Sequence, residues 1–175
     1  LQLSSGDVER ALPELMRLEE IREAICLSTC NRVEVISRVT DSEQAVAGLK
    51  SFIYGQGNLD IAEMERCLYV YRDLEAVRHL FRVTSSLDSM VMGEPQILGQ
   101  VKQAYREATA HHATGPILNR LVHKAFSVAK RVRGETGIGD HAVSVSYAAI
   151  AMAKKIFGDL AGKNVLLLGA GEMAE

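Results

Sequence analysis

The chain has 175 residues, a formal net charge of −2, 47% apolar residues and 24% charged residues, which is ordinary for a globular protein with a sizeable core. That charge gives no bulk signal for nucleic acid or a membrane surface, although a local basic patch is compatible with it. Three cysteines (Cys26, Cys30, Cys67) form no pairing framework and suit a reducing cytoplasm; no secretion signal is read, and no apolar run approaches the roughly 18 residues of a membrane span.

Taken in order, residues 4–7 (Ser-Ser-Gly-Asp) predict a cap for a helix running to about residue 20, with Pro13 awkward inside it. Residues 24–28 are short and apolar and read as a buried strand, and residues 33–38 as a second strand with Val33 and Val35 on one face. Asp41-Ser42 caps an amphipathic helix through Val46, Leu49 and Ile53, which ends in the breaker-rich residues 54–58. Residues 67–71, β-branched and aromatic, read as a third strand. This order implies an α+β fold, a split β-α-β-type unit with an antiparallel sheet if a strand precedes Leu1.

From Asp73, read as a cap, the chain turns helical. Val77, Leu80, Phe81 and Val83 lie at helical spacing; Pro95 suits the first turn of the next helix, through Ile97, Leu98, Val101 and Tyr105. Thr114-Gly115-Pro116 starts a long helix with an apolar stripe from Leu118 to Val132. The glycines of residues 134–140 are the best domain boundary. A helix over about 142–157 follows, then an apolar strand into Gly169-Ala170-Gly171-Glu172-Met173-Ala174, the opening of a dinucleotide-binding fold. In such a motif Gly169 permits a tight turn and Gly171 lets the backbone approach a pyrophosphate at a helix N-terminus.

Cys30 ends the first strand, between Thr29 and Asn31 and two residues from Arg32. A thiol there could be a nucleophile for an acyl carbon, or a small buried residue; the residues alone leave both open. Cys26 and Cys67 read as core. His79 lies near an apolar helix face, and taken alone it reads as a structural histidine ahead of a catalytic one. His111 and His112 close a helix, whereas His123 and His141 show no partner. Ser89, Glu94, Gln96 and Gln100 form a polar series that could hold an amino-acid head group or simply be solvated. The basic positions between Arg120 and Arg133 could touch phosphates or face solvent. No metal-ligand set is read.

Four blocks, residues 27–35 (Leu-Ser-Thr-Cys-Asn-Arg-Val-Glu-Val), 87–102 (with Gly-Glu-Pro-Gln-Ile-Leu-Gly-Gln), 126–133 and 138–146, resemble the glutamyl-tRNA reductase family in the right order, as does the glycine motif after them. The resemblance implies NADPH-dependent reduction of glutamyl-tRNA(Glu) to glutamate-1-semialdehyde, the entry to tetrapyrrole (porphyrin and heme) synthesis, through a thioester on Cys30. It implies that His79 assists the reaction, and that Thr29, Asn31, Arg32, Ser89, Glu94, Pro95, Gln96 and Gln100 bind substrate, with Arg32 on the glutamate carboxylate. Gly169 to Ala174 would open the NADP site. Residues 1–138 are then a catalytic domain, and 139–175 the first helix and strand of a Rossmann-type domain. The resemblance further implies a cytoplasmic homodimer formed through a C-terminal domain, with glutamate-1-semialdehyde aminomutase as a downstream partner. The family's opening strand before Leu1 and most of its cofactor domain are expected outside this chain, which by itself should lack full reductase activity. The competing reading is a non-catalytic paralogue that keeps a tRNA- or partner-binding surface.

Overall fold

The computed structural model describes residues 5–55, 61–90, 92–138, 145–164 and 166. In chain order the described elements are α1 (Ser5–Leu15), β1 (Ile21–Ser28), β2 (Val33–Val39), α2 (Ser42–Gly55), α3 (Ile61–Cys67), α4 (Asp73–Thr84), α5 (Gln96–Ala110), α6 (Pro116–Thr136) and α7 (Val145–Phe157). The architecture is α+β: helices pack around a β1–β2 antiparallel hairpin, in which Ser28 pairs with Val33 beside the turn and Ile21 with Val39 at the far end.

The hairpin is covered on both sides, which is why β1 is buried almost throughout rather than at alternate residues. Ile25, Cys26 and Leu27 join the main core with side chains of α4, α5 and α6, while Ile21 and Ala24 pack with Leu15 of α1 and with Leu49 and Phe52 of α2. A fully buried side chain such as Leu27 contributes roughly 1.5–3 kcal/mol by leaving water. In α6 the buried positions Leu118, Val122, Ala125 and Ala129 recur at helical spacing, as the stripe in the sequence requires.

The N-terminus of α6 is capped from a distance. Its own N-cap, Gly115, has no side chain to offer, and the buried carboxylate of Glu23 on β1 accepts the N–H groups of Gly115 (3.0 Å), Ile117 (3.3 Å) and Leu118 (2.7 Å). A negative group here satisfies orphan donors and complements the helix dipole. A Cβ at Gly115 would sit 2.9 Å from Cδ of Glu23, so a larger residue there would push the capping carboxylate aside.

Several sequence expectations need correction. Helix α1 stops at Leu15 rather than near residue 20; Pro13 lies within it, lacks an N–H and crowds the preceding turn. The strand expected over residues 67–71 is absent: Ile61–Cys67 is helical, and residues 68–72 belong to no ladder. Their aromatic side chains serve the site described below rather than a sheet. Cys67 is exposed, not core. Asp73 does not cap α4 but enters it with φ +50, after Arg72 as N-cap. His123 does have a partner, the Tyr105 hydroxyl at 3.3 Å. By contrast, Asp41 caps α2 as read, accepting the N–H groups of Glu43 (2.9 Å) and Gln44 (3.0 Å). His141, the strand before Gly169 apart from Leu166, and the whole glycine motif lie outside the described residues.

Candidate active site

The β1–β2 turn is organised by Thr29. Its N–H donates to the Arg32 carbonyl (2.8 Å), and its hydroxyl oxygen accepts the N–H groups of Asn31 (3.2 Å) and Arg32 (3.1 Å). Threonine hydroxyls favour such local turns because they replace the backbone partners that the ladder gives up. The turn leaves Cys30 exposed at its crest, with a free thiol, while Cys26 is buried. Burial, with a smaller push from Glu107, raises the Cys26 thiol to about 11, which makes it a poor nucleophile at neutral pH.

Beneath this turn lies a cluster centred on Glu34, which is only 8% exposed. One of its oxygens, Oε1, accepts from Arg32 Nη1 (2.8 Å) and from the Tyr69 hydroxyl, and lies 2.9 Å from His79 Nε2. Burial pushes the Glu34 carboxyl up, yet the contacts from His79, Tyr69 and Arg32 together outweigh burial and hold it below the usual carboxylate range. The Tyr69 phenol moves the other way, raised first by burial and then by its bond to the Glu34 carboxylate. The His79 ring packs against Tyr71, with centroids 4.6 Å apart, and against the edge of Tyr69 at 5.5 Å.

Arg32 also reaches across to Asp88. Both terminal nitrogens lie 3.2 Å from Asp88 Oδ2, and Nη2 donates to the Asp88 carbonyl. Although burial lowers its pKa, the bonds to Glu34 and Asp88 raise it overall, so the charge is secure. Through Arg32 the thiol turn is tied to the segment after α4 that carries Ser89.

The remaining expected residues stand differently. The side chains of Asn31, Ser89, Glu94, Gln96 and Gln100 make no hydrogen bond among the described residues. Gln96 opens α5, with Pro95 as N-cap at φ −76, and Gln100 lies four residues on, on the same helix. The structure thus gathers Arg32 and His79 on one carboxylate and leaves a second set of polar groups unengaged. Sequence reasoning missed Glu34, Tyr69 and Asp88. The signal for Glu34 was available: an acid between Val33 and Val35 in a strand covered on both sides has to be paired.

This site and fold define a class: an α+β domain presenting a free thiol on a hairpin turn above a buried Arg–Glu–His cluster. The profile of the glutamyl-tRNAGlu reductase N-terminal domain matches residues 1–136. A glutamyl-tRNA reductase of Syntrophus aciditrophicus is 60% identical over 175 residues, covering 99% of this chain and 41% of that protein. Another, of Desulfatibacillum aliphaticivorans, is 55% identical over 171 residues, covering 98% of this chain and 39% of that one. Among solved structures, glutamyl-tRNA reductase from Methanopyrus kandleri aligns with a TM-score of 0.64 at 35% identity, over 98% of this chain and 39% of its own. The chain belongs to the glutamyl-tRNA reductase family, and it spans about two fifths of the length of these relatives.

Proposed function

We propose that this chain is the acyl-accepting part of an NADPH-dependent glutamyl-tRNA reductase, acting in the first step of tetrapyrrole synthesis from glutamate. The observation that carries the reading is the exposed Cys30 thiol on a turn held by Thr29 and tied through Arg32 to the Asp88–Ser89 segment. Cys30 as thiolate attacks the ester carbonyl carbon of glutamyl-tRNA. A carbon–sulfur bond forms, the carbon–oxygen bond to the ribose breaks, and tRNA leaves as its protonated hydroxyl. Thr29, Asn31, Ser89, Glu94, Pro95, Gln96 and Gln100 surround the glutamyl group, and those with unengaged polar side chains supply directional contacts to it.

Arg32 is the candidate for the glutamate carboxylate, which would exchange for the Asp88 carboxylate that Arg32 now holds beside Glu34. His79, whose Nε2 lies 2.9 Å from Glu34 Oε1, is the candidate for steering a proton in the transfer. NADPH would supply the hydride that releases the aldehyde. Its binding would begin at Gly169, Ala170, Gly171, Glu172, Met173 and Ala174, in a Rossmann-type domain starting near residue 139, all beyond the described residues apart from 145–164 and 166. Dimerisation and transfer of the aldehyde to an aminomutase belong to the same reading, in a cytoplasmic enzyme. Among the described residues no helix is long and apolar enough to cross a membrane.

The test is a thioester trap on the full-length polypeptide. Incubation with glutamyl-tRNA carrying labelled glutamate, without NADPH, should leave label on the peptide containing Cys30, and hydroxylamine should release it. Intact glutamyl-tRNA binding with no label at Cys30 would instead favour the non-catalytic binding module.

A further inference from the structure

The loop after α4 is closed at its base by a clasp that the reaction described above does not use. Ser86 is fully buried and sits at φ +60, an uncommon conformation for a residue with a Cβ. Its carbonyl accepts the Gly93 N–H (3.0 Å), and its hydroxyl donates to the Glu94 carbonyl. Arg133, in the last turn of α6, adds Nη2 to the same knot: it donates to Ser86 Oγ (3.1 Å), to the Gly93 carbonyl (3.3 Å) and to the Glu94 carbonyl. Gly93 has φ +86, and a Cβ on it would fall 2.2 Å from the Ile138 carbonyl, so the loop end is pressed onto the chain leaving α6.

Two further observations converge here. Among the described residues, the only buried side-chain polar atoms without a partner are Arg133 Nε and Ser85 Oγ, both at this junction. Strained backbone and orphaned polar atoms are retained where a site needs an arrangement that the rest of the fold must hold against its own preference.

We infer that Arg133 is a positioning residue for substrate binding: by clamping the backbone of Gly93 and Glu94 it fixes where the free Glu94 side chain, and the Ser89 end of the same loop, stand relative to Cys30. This rests on the proposed acyl transfer to Cys30. The clasp acts through carbonyls, so it holds the loop while leaving the Glu94 carboxylate free for a ligand. All three contacts are made by a single nitrogen, Nη2, so a point donor of the same charge can replace much of them, whereas an apolar chain of similar length cannot.

The experiment is steady-state kinetics on the full-length enzyme with glutamyl-tRNA, comparing wild type with Arg133→Met, Arg133→Lys and Ser86→Ala. Arg133→Met should raise KM at least about tenfold with kcat at saturating substrate within about threefold. Arg133→Lys should recover most of that loss, and Ser86→Ala should raise KM about threefold. The rate of Cys30 alkylation by a small reagent should stay unchanged in all of them. An unchanged KM in Arg133→Met overturns the inference, as does a Lys variant no better than Met. Should Arg133→Met fail to fold, Ser86→Ala decides, and an unchanged KM there overturns it. Absence of a wild-type thioester at Cys30 refutes the acyl-transfer reading itself, a different result from a thioester-forming wild type whose Arg133 variants bind normally.

Discussion

The two halves of the candidate site are built on opposite principles. Arg32, Glu34, Tyr69, His79 and Asp88 satisfy one another, so this half is closed and pre-organised. Among the described residues, the side chains of Cys30, Ser89, Glu94, Gln96 and Gln100 are unengaged, so this half is open. A closed cluster pays its desolvation during folding and is ready before a ligand arrives; open groups exchange water for ligand at the moment of binding. Damage to the first half should therefore register in stability, and damage to the second in binding and chemistry.

The sharpest break of this contrast is Cys30→Ser. It should reduce glutamate capture to background while leaving the urea midpoint within error, because the thiol is exposed. Cys26→Ser should do the reverse, retaining capture while lowering stability, since Cys26 is buried in the core. Glu34→Ala tests the closed half. It leaves the Arg32 guanidinium, the Tyr69 hydroxyl and the His79 ring facing a vacated site, and should cost about 3–5 kcal/mol of unfolding free energy. A cost below about 1 kcal/mol would show that the cluster is not closed.

The pH dependence of stability sharpens the same point. The folded Glu34 carboxyl titrates below its unfolded value of about 4.3. Between the folded and unfolded values the unfolded chain binds the extra proton, so stability rises with pH through that window. The contribution is complete above the unfolded value and is lost as the pH falls through the folded one. Denaturation curves of wild type and Glu34→Gln should converge as the pH drops below about 4, and parallel curves would contradict the assignment.

Outside the site, Glu23→Ala removes the remote cap of α6 and should cost about 1–2 kcal/mol, measured by urea denaturation. The smallest stability effect belongs to the open half: Gln96→Ala should stay within about 0.5 kcal/mol of wild type. It should nevertheless weaken glutamyl-tRNA binding, measured as a raised KM in the full-length enzyme. A destabilised Gln96→Ala with normal KM would move Gln96 into the structural half.

Much of the local structure was legible in the sequence for identifiable reasons. The apolar stripe from Leu118 to Ala129 has no period but the helical one, and Asp41-Ser42 is a cap whose bonds are purely local. Residues 67–71 misled because β propensity describes a residue's fit to a half-buried surface, and Tyr69 and Tyr71 found such a surface on His79 instead of a neighbouring strand. Asp73 misled because a capping residue type says nothing about the φ that the preceding chain imposes.

By itself, the sequence determined the α+β class, the thiol turn and the family, because blocks such as Ser28-Thr29-Cys30-Asn31-Arg32 carry their own signature in residue order. Only the tertiary structure decided what those residues face. It placed Glu34 among Arg32, Tyr69 and His79, brought Asp88 to Arg32, set Glu23 on the end of α6, and drew Arg133 to the base of the Ser86–Glu94 loop. Apart from Arg32 with Glu34, each of these joins residues 35 to 95 positions apart, and such pairings follow from packing, to which local pattern is blind. The family signature around Cys30 lies in its neighbours along the chain, whereas the setting of that residue was assembled from residues that only folding makes neighbours.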